Sequence, residues 1–101
     1  MGVLVTRASG SFNMTVPANS IVRDRTALTM SKGEVVQITA TYSLSGSVDF
    51  GLVDSDGVFH YVNATNGRID KSIEITESGT YIFAIRNNSS QEIKVSGYIR
   101  Y

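Results

Sequence analysis

The sequence predicts an all-β chain, a two-sheet antiparallel sandwich of jelly-roll-like form with about eight strands. Three observations predict it. Apolar residues recur with period two in one run after another, helical periodicity is almost absent, and turn signals rich in Gly and Asn fall about every 10 to 12 residues. One alternating face per strand means one buried side and one solvated side, as in two sheets packed face to face. A parallel α/β sheet would instead show continuous apolar strands with helices between them.

Taken in order, Phe12, Met14 and Val16 alternate before Pro17, and Thr26, Leu28 and Met30 alternate before Ser31-Lys32-Gly33. Val36, Ile38, Ala40 and Tyr42 share one face opposite Gln37, Thr39 and Thr41. Val48, Phe50 and Leu52 stand against Ser47, Asp49 and Gly51, and Asp54-Ser55-Asp56-Gly57 then reverses the chain. The stretch Gly57 to Asn63 admits two phases. Either Val58 and Val62 point inward with His60, or Phe59 and Tyr61 do, and the aromatic pair is preferred. Ile73 and Ile75 mark a further strand after Asn66-Gly67, and Tyr81, Phe83 and Ile85 another after Glu77-Ser78-Gly79. The last strand sets Ile93, Val95 and Ile99 against Glu92, Lys94, Ser96, Tyr98 and Arg100. β-Branched and aromatic residues fill these runs because they suit a pleated, half-buried surface. The inward residues form the expected core, with Phe50 and Phe83 in it.

The 101 residues fit a single domain, with residues 1–10 as a loose N-terminal arm or edge strand in which Val3 to Val5 add a segment. Nine Lys and Arg balance nine Asp and Glu, which argues against nucleic acid, since neutralising phosphates needs surplus cations. No apolar run approaches the roughly 20 residues of a membrane helix, so membrane insertion is not expected. The chain has no cysteine, which excludes disulfides and thiolate-bound metals. Met1 to Val5 lacks the basic and apolar regions of a leader. With 18% charged residues and many Ser, Thr and Asn, the composition nevertheless suits an extracellular or cell-surface protein whose leader lies outside this sequence. Asn-x-Ser/Thr occurs at Asn13, Asn63, Asn87 and Asn88, and such matches arise by chance in so Ser/Thr-rich a chain.

Few residues point to chemistry. Asp54 and Asp56 are weak candidates for a calcium loop, because hard cations want several oxygens and the other ligands of such a loop are missing. Asp-Gly between alternating runs reads better as a hairpin turn. His60 is the sole imidazole, so multi-histidine zinc sites are impossible, and no Gly-x-Ser-x-Gly elbow accompanies it. Neither catalysis nor a cofactor is expected. A glycan site would use tyrosine rings flanked by polar groups, which makes Tyr98, Tyr101, Arg100 and Asn87 its candidates. Val35, Val53, Ile82 and Ala84 fall on the outward phase of their strands and, if neighbours, would form an exposed apolar patch marking a protein interface.

From Leu28 onward the order of features resembles a known kind of module. It runs Met30-Ser31-Lys32-Gly33-Glu34, then Val48 to Gly57, then Ile75-Thr76-Glu77-Ser78-Gly79-Thr80-Tyr81, and closes on Phe83 to Asn88. This is similar to the bacterial pre-peptidase C-terminal domains and to the GOLD domains of Golgi-trafficking proteins. The resemblance implies a jelly-roll-like sandwich without catalytic residues. The expected role is a non-catalytic accessory module that binds a protein partner or spaces the domains of a parent protein. Carbohydrate binding through exposed tyrosines is the alternative.

Overall fold

The computed structural model describes residues 9–43 and 46–101. Eight strands run in chain order: β1 (Ser9–Val16), β2 (Ile21–Met30), β3 (Val35–Tyr42), β4 (Val48–Val53), β5 (Phe59–Ala64), β6 (Arg68–Glu74), β7 (Gly79–Asn87) and β8 (Ile93–Arg100). They form two four-stranded antiparallel sheets, sheet A in the order β1-β8-β3-β6 and sheet B in the order β2-β7-β4-β5. Every connection passes from one sheet to the other except the β4–β5 hairpin, which is the jelly-roll arrangement. The expected Val3–Val5 edge segment lies outside the described residues. Ser9 and Gly10 belong to β1 rather than to a loose arm.

The period-two reading carries through to the packing. Val36, Ile38, Val48, Phe50, Leu52, Ile85, Ile93 and Val95 are fully buried between the sheets, and Phe12 and Met14 pack against that core from the edge strand. The Phe12 and Phe83 rings meet at 4.9 Å across the layers. Two buried tyrosines keep their hydroxyls satisfied on backbone: Tyr42 donates to the Gly46 carbonyl at 2.7 Å and Tyr81 to that of Glu77 at 2.6 Å. The sequence-based boundary of β2 falls short. The strand begins at Ile21, and its pairing with β7 shifts between Arg23 and Ala27. A bulge across Arg23-Asp24-Arg25 interrupts the alternation, so the apolar signal begins only at Thr26.

The favoured phase of β5 is corrected. Val62 lies opposite Phe50 and Ala64 opposite Val48, so these two face the core, whereas Tyr61 opposite Gly51 and Phe59 opposite Val53 face outward. A one-residue change of register moves every side chain of a strand to the other side. The pairing with β4, invisible in β5 alone, decides the outcome. Two glycines in central strands are fixed by close approach. A Cβ on Gly51 would stand 2.0 Å from the His60 carbonyl oxygen, and one on Gly97 would stand 2.1 Å from that of Thr39. Backbone cannot yield as a flexible side chain would, so only glycine fits.

Candidate interaction face

The outward side of sheet B is built in rows set by the strand register. Ile21, Arg86, Asp49 and Asn63 form one row, Arg23, Ala84, Gly51 and Tyr61 the next, and Ala27, Ile82, Val53 and Phe59 a third. Asp49 is only 3% exposed although it points away from the core. Its Oδ1 accepts from Asn63 Nδ2 at 2.7 Å, and its Oδ2 accepts from Asn88 Nδ2 at 2.9 Å and from Arg86 Nε at 2.8 Å. The Arg86 Nη2 lies 2.7 Å from the same oxygen. Both amides also donate to the Ser47 hydroxyl. A buried carboxylate is tolerable only when paired and hydrogen-bonded in this way. Burial raises the Asp49 pKa, but the hydrogen bonds from Asn88, Asn63 and Arg86, with the guanidinium charge, outweigh it and hold the carboxyl below the ordinary aspartate value. Arg86 is raised in turn, chiefly by its hydrogen bond to Asp49.

Arg86 also carries the aromatic part of this face. Its guanidinium carbon lies 4.6 Å from the Tyr61 ring centroid and 5.1 Å from that of Phe59, and the two rings stack at 5.1 Å. Arg86 stands on β7 and the rings on β5, with β4 between them. The side chain therefore reaches across β4, where Gly51, opposite Tyr61, presents no side chain. Ion pair and cation–π contact fix both ends of one guanidinium. Tyr61 remains 49% exposed.

The expected apolar patch is corrected. Val53 and Ile82 are cross-strand partners and Ala84 follows on β7, but Val53 and Ala84 are buried, and Ile82 is half-buried. Val35 lies on the other sheet, opposite Glu74. Outward phase fixes which side a residue points to, and large neighbours decide whether water reaches it. Among the described residues, the large apolar side chains open to water on the outer B face are Ile21, at 40%, and Tyr61.

Sheet A presents a different outer surface of Ser, Asn, Thr, Gln and charged residues around one half-buried tyrosine. Tyr98 lies between Ser11 and Thr39, and Thr39 pairs with Asp70. Arg100 sits over the Tyr98 ring at 4.7 Å, and its Nη2 donates to the Tyr98 hydroxyl at 3.3 Å. Tyr98 and Arg100 lie together on the outer side of sheet A, while Tyr101 packs against the core. Asn87 is corrected. It is completely buried, and its amide donates to the carbonyls of Val16, Pro17 and Gln91, so it ties the β7 end to the β1 end and offers nothing to a ligand.

The acidic turn is occupied by its own backbone. Asp54 Oδ1 accepts from the N–H groups of Asp56 and Val58, both at 2.9 Å, and Oδ2 lies 2.7 Å from His60 Nε2. The hydrogen bond to His60, then that from Val58, hold the Asp54 carboxyl below its ordinary value. Asp56 contributes no side-chain bond to this arrangement, and the described residues hold no group of three or more metal-binding side chains.

No family model and no curated protein matches the chain. Among solved structures the fold is similar to that of PliG from Aeromonas hydrophila, a periplasmic lysozyme inhibitor of g-type lysozyme. The TM-score is 0.58 at 11% identity, over 91% of this chain and 84% of that one. Similarity at this level concerns the sandwich itself. The residues that build the B-side face were not singled out by sequence reasoning. Asp49, Arg86 and Asn63 sit on the polar phase of three separate strands, and only the register joins them.

Proposed function

We propose that this protein is a non-catalytic, extracellular or periplasmic binding module that engages a protein partner through the outer face of sheet B. The observation that carries the reading is the exposed Tyr61 ring, braced by Phe59 and by an Arg86 that buried Asp49 holds in place. Tyr and Arg dominate the binding energy of protein interfaces, and side chains already fixed lose little entropy on binding. Ile21, on the far edge strand of the same face, extends the apolar contact. The fold similarity to a lysozyme inhibitor, whose role is to bind another protein, points the same way, as does the resemblance to pre-peptidase C-terminal and GOLD modules. Among the described residues, His60 bonds to Asp54 and to no hydroxyl.

Parallel capture with wild-type, Tyr61→Ala and Tyr98→Ala baits tests the reading, with purified g-type lysozyme as the first candidate and an extract of the source cells' envelope as the second. A protein kept by wild type and by Tyr98→Ala, yet lost by Tyr61→Ala, is the expected result. Retention insensitive to Tyr61→Ala overturns it. An oligosaccharide-array signal lost only in Tyr98→Ala moves the site to sheet A and makes the ligand a glycan.

A further inference from the structure

The sandwich has four edge strands, β1 and β6 in sheet A and β2 and β5 in sheet B. An exposed edge is a template for another chain, and charges, bulges or brevity discourage such pairing. Three of the edges carry such obstacles. β6 has Arg68, Asp70 and Glu74, together with Lys71 on the inward phase opposite Ile38. β2 has Arg23, Asp24, Arg25 and the register shift that follows them. β5 is only six residues long.

β1 has none of these. Its eight residues, Ser-Gly-Ser-Phe-Asn-Met-Thr-Val, contain no charge and no proline, and they pair with β8 without a break from Ser9 opposite Arg100 to Val16 opposite Ile93. Among the described residues nothing pairs with its other side. A slot of about 290 Å³ opens beside it between the two sheets, with Phe12, Leu28, Phe83 and Tyr101 in its walls and Asp24 and Thr26 on its polar side.

From these observations we infer that β1 joins a second copy of the same chain, antiparallel, with Asn13 on the two-fold axis. This register sets Phe12 opposite Met14 of the other copy and Gly10 opposite Val16 on the inward side. On the outward side Ser11 meets Thr15, and Asn13 meets its own counterpart. Inward residues meet inward residues, no like charges are brought together, and the contact closes on itself as a two-fold interface must. Apolar side chains of each copy reach the slot of the other, and two four-stranded sheets become one continuous sheet. A second copy is the occupant because β1 is itself a strand of the chemistry this edge accepts. The inference is independent of the partner face, which stays open on both copies and would give the dimer two binding sites.

Sedimentation equilibrium up to about 100 µM is the test. Wild type is expected to be a dimer. Asn13→Lys and Asn13→Asp each place like charges face to face and weaken it by up to about fivefold. Mixing the two variants in equal amounts restores a mixed dimer, which no loss of folding could imitate. Asn13 is exposed, so both variants keep the β spectrum of the parent, and if the lysine variant folds poorly the near-isosteric aspartate carries the same reading. Tyr61→Ala remains dimeric even where partner binding is lost. A wild type that stays monomeric, or a dimer indifferent to charge at Asn13, overturns the inference.

Discussion

The two outer faces of the sandwich begin from the same sequence signature, polar residues at every second position, and end as different surfaces. On sheet A the outward residues are mostly small and polar, and each contact is a local pair, such as Asp70 accepting from Gln37 and Thr39 or Arg100 resting on Tyr98. On sheet B a carboxylate, a guanidinium, two amides and two rings form one connected unit across three strands. Size explains the difference. The B side combines a bare glycine in its central strand with long side chains on either side, so Arg86 can lie flat and exclude water from Asp49. The A side has no such combination. A polar face becomes a rigid one when large groups cover small ones, and rigidity is what a recognition surface needs.

The comparison is sharpened first along β4, where Asp49, Phe50 and Gly51 are consecutive. Phe50→Ala, on the inner side, is expected to cost about 3–5 kcal/mol in urea unfolding, which sets the scale for the outer residues. Asp49→Ala removes the acceptor of Arg86 and leaves the Asn63 and Asn88 amides only the Ser47 hydroxyl. Because the Arg86 side chain keeps 37% of its exposure and can turn to water, the expected loss is about 2 kcal/mol, below that of a fully buried pair. Asp70→Ala, its counterpart on the A side, should change stability by less than about 0.5 kcal/mol. Equal losses for the two aspartates would erase the distinction between the faces.

Acid titration probes the same contrast. Asp49 and Asp54 both have folded-state pKa values below the ordinary 3.8. The stability they contribute is therefore complete above that unfolded value and is lost as pH falls through the lower folded values. Melting temperatures should hold down to about pH 4 and then fall, and Asp49→Asn should flatten the decline. An unchanged acid slope in that variant would mean that the Asp49 network does not favour the carboxylate. A comparably small effect is expected at Arg100→Ala, where an exposed cation–π contact is worth about 0.5 kcal/mol. A larger loss would show that the A face has an organised centre of its own.

How much of this was legible in the sequence follows from the range of the forces involved. Alternation marks β3, β4, β7 and β8 because burial of one strand face is written into consecutive residues. The charged bulge in β2 hid Val22, and β5 was ambiguous because both of its phases carry apolar side chains. Asn87 reads as a surface polar residue in a turn, but its amide is spent on the nearby Gln91 carbonyl and on those of Val16 and Pro17, about 70 residues away. Phase puts Tyr98 and Arg100 on one side of β8, but the preferred phase of β5 turns Tyr61 inward, and only the pairing with β4 brings it to the surface.

By itself the sequence determined that this chain is an all-β sandwich, because the hydrophobic effect acts on each strand through its nearest neighbours along the chain. The tertiary structure alone decided which outward residues meet, since strand register pairs positions dozens of residues apart and no local pattern encodes that choice. Asp49 reaches Arg86 and Tyr61 reaches Gly51 only through that register, and the proposed recognition face exists for the same reason.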